Sequence, residues 1–273
     1  MKLFSKIYQF LFFLFLYSPI AILIIYSFND SKSRVIWGGF TFKWYIKLIN
    51  NSEILSAFSN TIIIAVVSSV IATVLGTLAA VGIVNTKSIF KKVLINITNL
   101  PMLNPEIVTG ISMMLLFVFI YSKTGFLKPG LLTLILSHST FCLPYVVLSV
   151  LPKLRQMDSS IYEAAQDLGC NHFQAFFKVV MPQITSGVVT GFMMSFTMSI
   201  DDFLISYFTS GTVQTLPLTI YSMTRRIISP EINALSTVLF VIMFTLVIII
   251  NIRKGRERVK KSNQHILSQF IKI

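Results

Sequence analysis

The fold of this chain is decided by Glu163-Ala164-Ala165-Gln166-Asp167-Leu168-Gly169, followed by Val179-Val180-Met181-Pro182. This stretch is a polar island between two long apolar segments. It has the length and amphipathy of a short helix that ends at a glycine. The island also lies on the side of the chain where basic residues concentrate. The pattern therefore predicts a docking helix through which a cytosolic partner moves a membrane-embedded domain.

The amino-acid composition indicates the class of protein. Of 273 residues, 54% are hydrophobic and only 12% are charged, and the mean hydropathy of +0.77 exceeds what a soluble core requires. Six stretches are long and apolar enough to span a membrane. The predicted spans are residues 10–28, 61–84, 93–121, 131–151, 184–207 and 235–252. We expect an all-α membrane protein with six transmembrane helices in a single domain, residues 1–273.

Basic residues give the orientation. With both termini in the cytoplasm, most of the 23 Lys and Arg residues fall on the inner side, as the positive-inside rule requires. Seven of these residues lie in the tail, residues 253–273, which we expect to be cytoplasmic and to contact anionic membrane lipid. The net charge of +13 is explained by this topology, so a nucleic-acid partner is not expected.

Acidic residues inside the predicted spans indicate the chemistry. A carboxylate in hydrocarbon normally faces a protein interior or a wet path, and it has a partner there. A helical rise of about 1.5 Å per residue puts Glu106 roughly 21 Å, Asp201 roughly 24 Å and Tyr17 roughly 17 Å from the inner ends of their spans. Three spans would then bring acidic or aromatic groups to nearly one level. The alternative is that Asp201 and Asp202 cap or pair internally, or lie just outside the membrane.

A path lined by carboxylates and aromatic rings suits an organic cation. Ammonium groups form charge-assisted hydrogen bonds with carboxylates, and they bind over aromatic faces. We assign Asp201, Asp202, Glu106, Tyr17 and Trp44 to this substrate path. An interfacial aromatic belt accounts equally well for Trp44 in the outer segment 29–60. No catalytic motif, metal-binding motif or cofactor-binding motif is present in the sequence, so energy for transport must come from another chain.

Two further residue sets predict packing. The small residues of the second span predict a close approach between helices. They are Ser68, Ser69, Gly76, Ala79, Ala80 and Gly82. His138 in the fourth span is expected to form an interhelical hydrogen bond rather than to bind a ligand.

The polar island resembles the EAA loop of bacterial ABC importer permeases. In this chain the loop covers residues 158–182, and its pattern is formed by Glu163, Ala164, Ala165, Gly169 and Pro182. The chain also resembles the polyamine (spermidine/putrescine) branch of these permeases along most of its length. The stretches that carry this resemblance include Tyr17-Ser18-Pro19, Lys43-Trp44-Tyr45, Pro105-Glu106-Ile107-Val108, Asp201-Asp202-Phe203 and Leu216-Pro217-Leu218 with Ile220-Tyr221-Ser222-Met223.

The resemblance implies a type I (MetI-like) importer permease in the bacterial inner membrane. It would pair with a second, homologous permease, a cytosolic ABC ATPase dimer and an extracytoplasmic polyamine-binding protein. Glu163 would meet a basic side chain in a groove of the ATPase, and Gly169 would let the backbone turn sharply. The chain itself would not be an enzyme.

Two alternatives remain open at this point. The chain could be an ABC permease for another solute, such as iron or thiamine. It could also be an ion-coupled secondary carrier that uses its membrane acids as proton sites, although such a carrier has no use for an EAA helix.

Overall fold

The computed structural model of this protein describes residues 2–31, 36–226, 230–242, 244, 245 and 248. Its helices are α1 (Lys2–Tyr26), α2 (Lys43–Ile49), α3 (Ser52–Asn85), α4 (Ser88–Leu103), α5 (Glu106–Thr124), α6 (Leu131–Gln156), α7 (Ser159–Asp167), α8 (His172–Ala175), α9 (Met181–Asp201), α10 (Leu204–Thr209), α11 (Leu216–Arg226) and α12 (Pro230–Ile242). A π-helical turn, Phe176–Val180, joins α8 to α9. Within the described residues no β-strand occurs, as expected for an all-α protein.

Five helical segments are long and apolar enough to cross a membrane. They are Phe4–Tyr26, Ser52–Asn85, Glu106–Thr124, Leu131–Gln156 and His172–Asp201. A shorter apolar helix, α12, covers the beginning of the sixth predicted span, whose remainder lies largely outside the described residues. The predicted basic tail, residues 253–273, lies wholly outside them. The orientation of the termini stays a prediction.

The third and fifth predicted spans are each divided into two helices. Within residues 93–121, α4 ends at Leu103 and α5 begins at Glu106, directly after Pro105. Proline restricts the residue before it to extended conformations, and Asn104 has φ −77° and ψ 138°. The depth given above for Glu106 assumed one continuous helix from Lys92, and that assumption was wrong. Within residues 184–207, α9 ends at Asp201 and α10 begins at Leu204.

The chain forms two compact units, one from residues 1–52 with 222–273 and one from residues 53–221. In the first unit, buried Trp44 of α2 donates its indole N–H to the carbonyl oxygen of Asn29 at 2.8 Å. Tyr45 bonds the hydroxyl of Ser27, and Lys47 pairs with Glu231 of α12. These contacts attach α2 to the segment that follows α1, and α12 to α2.

The core of the second unit lies where α6 meets α3 and α9. Its centre is Val146 of α6, which is fully buried. A Cβ atom added at Gly76 of α3 would lie 2.7 Å from Val146 Cβ, and one added at Gly191 of α9 would lie 3.0 Å from Val146 Cα. A Cβ atom added at Gly187 of α9 would lie 2.8 Å from the Ser149 carbonyl oxygen. Glycines thus let the two helices approach the α6 backbone.

The predicted close packing of small residues is confirmed in part. Ser68, Ser69, Gly76 and Ala80 are buried, but Gly82 faces open space, with no atom within 4 Å of an added Cβ. Gly82 lies six residues, or about 600° of helical rotation, beyond Gly76, which turns it toward another face of α3.

Gly76→Val should lower the free energy of unfolding by about 1–3 kcal/mol, because the added methyl groups overlap Val146. Gly82→Val is the matched control in the same helix, with the same change in helix propensity. Thermal unfolding of the detergent-purified chain would measure both. Equal losses in the two variants would contradict the packing described here.

Candidate functional site

Two adjacent acidic residues, Asp201 and Asp202, lie at the break between α9 and α10, and we call them the acid pair. Asp202 has an extended backbone, and its carboxylate accepts hydrogen bonds from the first turn of α10. The Ile205 N–H donates to Oδ1 at 3.3 Å, and the Ser206 N–H and hydroxyl donate to Oδ2 at 2.8 and 2.9 Å. The backbone N–H groups that begin a helix have no partner within it, so Asp202 supplies the cap that α10 needs.

The second partner of Asp202 is buried His138 of α6. The His138 Nε2 atom lies 3.0 Å from the Ser206 hydroxyl and 3.4 Å from Asp202 Oδ2. His138 Nδ1 lies 2.7 Å from the hydroxyl of Ser199, which in turn lies 3.1 Å from that of Ser68. A neutral imidazole that carries its proton on Nε2 satisfies all of these groups. The network joins α3, α6, α9 and α10, and it confirms the interhelical hydrogen bond expected for His138.

The two adjacent aspartates have different surroundings. Asp202 is buried, with 7% of its surface exposed, and its carboxylate is bonded internally. Asp201, the last residue of α9, is exposed. Of the two possibilities open at the sequence level, internal pairing therefore holds for Asp202. Asp201 alone presents its side chain outward.

Glu106 lies near this break. It is the exposed first residue of α5, where the helix dipole favours a negative charge. One turn later, an added Cβ at Gly110 would lie 3.3 Å from the Leu204 carbonyl oxygen, so α5 and α10 pack closely. Glu106 interacts electrostatically with both aspartates and with Tyr145 of α6. The structure thus places Glu106 near the break that contains Asp201 and Asp202, although Glu106 and Asp201 lie 95 positions apart in the numbering.

Tyr17 and Trp44 belong to the first unit. Tyr17 is 48% exposed on α1, and its ring stacks with that of Phe13 at a centroid distance of 6.4 Å. Trp44 is only 3% exposed and bonds Asn29, so its ring is committed to the packing of α2.

The EAA loop begins with a capped helix. The side chain of Asp158 accepts a hydrogen bond from the Ser160 N–H at 3.0 Å, and this contact lowers the pKa of the Asp158 carboxyl group. Glu163 and Ala164 are exposed on α7, whereas Ala165 is buried. The cap is therefore charged at neutral pH, and the helix presents the glutamate to the outside.

The end of α7 explains the spacing of the sequence pattern. The Gly169 N–H donates to the Gln166 carbonyl at 2.8 Å, and the Cys170 N–H donates to the Ala165 carbonyl at 3.0 Å. Gly169 has a φ of +87°. This pair of bonds around a left-handed glycine is the Schellman motif, which terminates helices. The separation of Ala165 from Gly169 is thus set by a helix end.

The segment after Gly169 leads back to the membrane helix. Asn171 and Gln174 form reciprocal capping bonds at the start of α8, of 2.8 and 3.2 Å, and Pro182 is the second residue of α9. Leu168 and Phe173 are 86% and 72% exposed. The loop therefore displays two large apolar side chains in addition to Glu163.

Comparison with known proteins identifies the family. The family model described as binding-protein-dependent transport system inner membrane component matches residues 72–253. The chain belongs to this family. It is accordingly a membrane component of a transporter, located in the inner membrane, and not an enzyme.

Relatives of known function are similar over most of the chain. The spermidine/putrescine transport system permease protein PotC of Escherichia coli (strain K12) is 40% identical over 235 residues, covering 86% of this chain and 87% of the relative. The putrescine transport system permease protein PotI of the same strain is 38% identical, covering 83% of this chain and 82% of the relative. PotC of Haemophilus influenzae is 35% identical, covering 89% and 93%.

A solved structure shares the fold. The crystal structure of a bacterial ABC transporter involved in the import of the acidic polysaccharide alginate has a TM-score of 0.72 with 14% identity, covering 92% of this chain and 95% of that one. At this identity the likeness concerns the fold alone. It agrees with the type I importer architecture expected from the EAA loop.

Sequence reasoning missed two features of the site. The serines that bond His138 and Asp202 gave no signal of their own, although a serine four positions after Asp202 is consistent with a capped turn. Phe203 and Tyr207 were not singled out, although their i, i+4 spacing predicts neighbouring rings on a helix. Among the described residues, no group of three or more His, Cys, Asp and Glu side chains could hold a metal ion.

Asp202→Ala should destabilise the protein by about 1–3 kcal/mol, because it leaves the buried N–H groups at the start of α10 without their acceptor. Asp201→Ala, an identical change at an exposed position, should stay within about 0.5 kcal/mol of wild type. Thermal unfolding of the purified protein distinguishes them. If the Asp201 variant lost as much stability as the Asp202 variant, the assignment of Asp202 as the buried cap of α10 would be wrong.

Proposed function

We propose that this chain is a permease subunit of an ATP-driven, binding-protein-dependent importer of polyamines such as spermidine and putrescine. The observation that carries the proposal is the similarity to PotC and PotI over more than four fifths of the chain. The exposed carboxylates of Asp201 and Glu106, which lie on α9 and α5 near the same helix break, support a cationic cargo.

The chemistry follows from these carboxylates. A polyamine crossing the membrane must exchange water for other hydrogen-bond acceptors, and a carboxylate accepts strong charge-assisted bonds from an ammonium group. Asp201 and Glu106 are the acceptors we assign to this step. The assignment of Tyr17 to the path stays a prediction from the sequence. Asp202 and Trp44, both buried and internally bonded, position the surrounding backbone instead.

The EAA loop supplies the coupling to ATP. We assign Glu163, Leu168 and Phe173, which are exposed, to contacts with a cytosolic ABC ATPase. Ala164, Ala165, Gly169 and Pro182 shape the loop that presents them. A second, homologous permease and an extracytoplasmic polyamine-binding protein complete the complex. The loaded binding protein would favour an outward-open state only through contacts that are better in that state.

The deciding experiment is ATP-dependent uptake of radiolabelled spermidine into proteoliposomes that contain the chain with its co-purified subunits and binding protein. Uptake that follows a proton gradient and needs no ATP would instead favour an ion-coupled carrier. ATP-dependent uptake of iron or thiamine without that of spermidine would favour the other importer classes.

Asp201→Asn should reduce the maximal rate of spermidine uptake about tenfold, since hydrogen bonds to a charged group contribute about 1.5–3 kcal/mol. The cargo arrives on the binding protein, so the effect should appear in the rate at saturating loaded binding protein. Asp201→Glu keeps the charge and should retain more activity than the Asn variant. Wild-type rates in Asp201→Asn would remove Asp201 from the path.

Gly169→Val should abolish ATP-dependent uptake while the chain still inserts into the membrane, because a β-branched residue is strained at a φ of +87°. Gly169→Asn should retain most activity, since asparagine tolerates this conformation. Gly125→Val is the control: Gly125 also ends a helix, α5, with a φ of +69°, but it lies outside the EAA loop. Coupling through α7 would be refuted if Gly125→Val and Gly169→Val impaired uptake equally.

A further inference from the structure

Three aromatic rings meet beside the acid pair. Phe203 follows Asp202 directly, and its ring centroid lies 4.6 Å from that of Tyr221 and 5.7 Å from that of Tyr207. Tyr207 and Tyr221 lie 6.4 Å apart with nearly perpendicular planes, at 82°. We call Phe203, Tyr207 and Tyr221 the aromatic cluster. It joins the Asp201-Asp202-Phe203 stretch to the Leu216–Met223 stretch.

The backbone around the aromatic cluster is held at both ends of the connection between α10 and α11. The Thr133 hydroxyl donates to the Thr209 carbonyl at 2.8 Å, where α10 ends. The Leu216 N–H donates to the Thr61 hydroxyl at 2.8 Å, where α11 begins. Between them, a Cβ atom added at Gly211 would overlap the Pro129 carbonyl oxygen.

These attachments leave the rings partly accessible. On α10, Ile205 and Ser206 are buried, whereas Tyr207 is 54% exposed. Phe203 and Tyr221 are half-buried. The cluster is thus a preformed aromatic surface on a fixed backbone, and an exposed carboxylate, Asp201, lies two residues before its first ring.

We propose that the aromatic cluster binds the polyamine itself, as a platform for its ammonium groups and methylene chain while Asp201 accepts a hydrogen bond from one ammonium group. This proposal rests on the function proposed above and assigns it three further residues. Aromatic faces attract ammonium groups that approach within about 6 Å of the ring centroid, and the rings also contact the alkyl segments. A fixed platform avoids the cost of ordering side chains on binding.

A structural or lipid-facing role is the competing explanation, and the choice of variants separates the two. Tyr221→Leu and Tyr207→Leu remove an aromatic face but keep an apolar side chain, whereas Tyr221→Phe and Tyr207→Phe keep the face and remove only the hydroxyl. Tyr121→Leu, which changes a 41% exposed tyrosine on α5, is the matched control.

The experiment measures binding of radiolabelled spermidine to the detergent-purified complex without its binding protein, by scintillation proximity, together with thermal unfolding. The Leu variants should weaken binding about three- to tenfold, with the Phe variants and Tyr121→Leu within about twofold of wild type. The unfolding temperature of the Tyr207 variants should not change. ATP-dependent uptake by the complete complex should decrease in the same order.

Three outcomes would overturn the inference: wild-type binding in both Leu variants, an equal loss in Leu and Phe variants that follows a loss of stability, or a wild-type complex that imports spermidine but binds none without its binding protein. Failure of the proposed function is a separate result. It would appear as a wild-type complex that imports no spermidine under ATP.

Discussion

A membrane helix cannot be interrupted without partners for the backbone groups that the interruption releases, because hydrocarbon offers none. At the break between α9 and α10 the Asp202 carboxylate partners two of these groups, the N–H groups of Ile205 and Ser206 in the first turn of α10. A buried carboxylate needs further partners of its own, and His138 and Ser206 provide them. The direction in which Asp201 points and the position of Phe203 both depend on this cap.

The cap depends in turn on how closely the helices approach. His138 and Val146 are two turns apart on α6, so the same helix that supplies the imidazole also packs against Gly76 and Gly191. In lipid, association of helices relies on van der Waals contact and interhelical hydrogen bonds rather than on exclusion of water. The glycines bring α3 and α9 close enough to α6 for Ser199 to bond the histidine and for Ser68 to bond Ser199.

Some of this organisation could be predicted from local sequence. The capped start of α7 and its glycine end depend on neighbours within a few residues, and the Schellman bonds around Gly169 account for the spacing of the EAA pattern. The division of the third span was indicated by Pro105, since proline acts on the residue beside it. The separate roles of Asp201 and Asp202 could not be predicted, because they depend on a histidine more than sixty residues away.

The amino-acid sequence by itself determined that the chain is an apolar, all-helical membrane component of the ABC importer class, and it marked the acids and the coupling loop. Composition, short-range helix signals and motif spacing are properties of contiguous residues, so they can be recognised without a structure. The tertiary structure decided that Asp202 is a buried cap, that Trp44 is an internal anchor, that Glu106 lies near the two aspartates, and that Tyr221 packs against Phe203. These pairings join segments distant in sequence, and they follow from the close packing of whole helices, which no local pattern records.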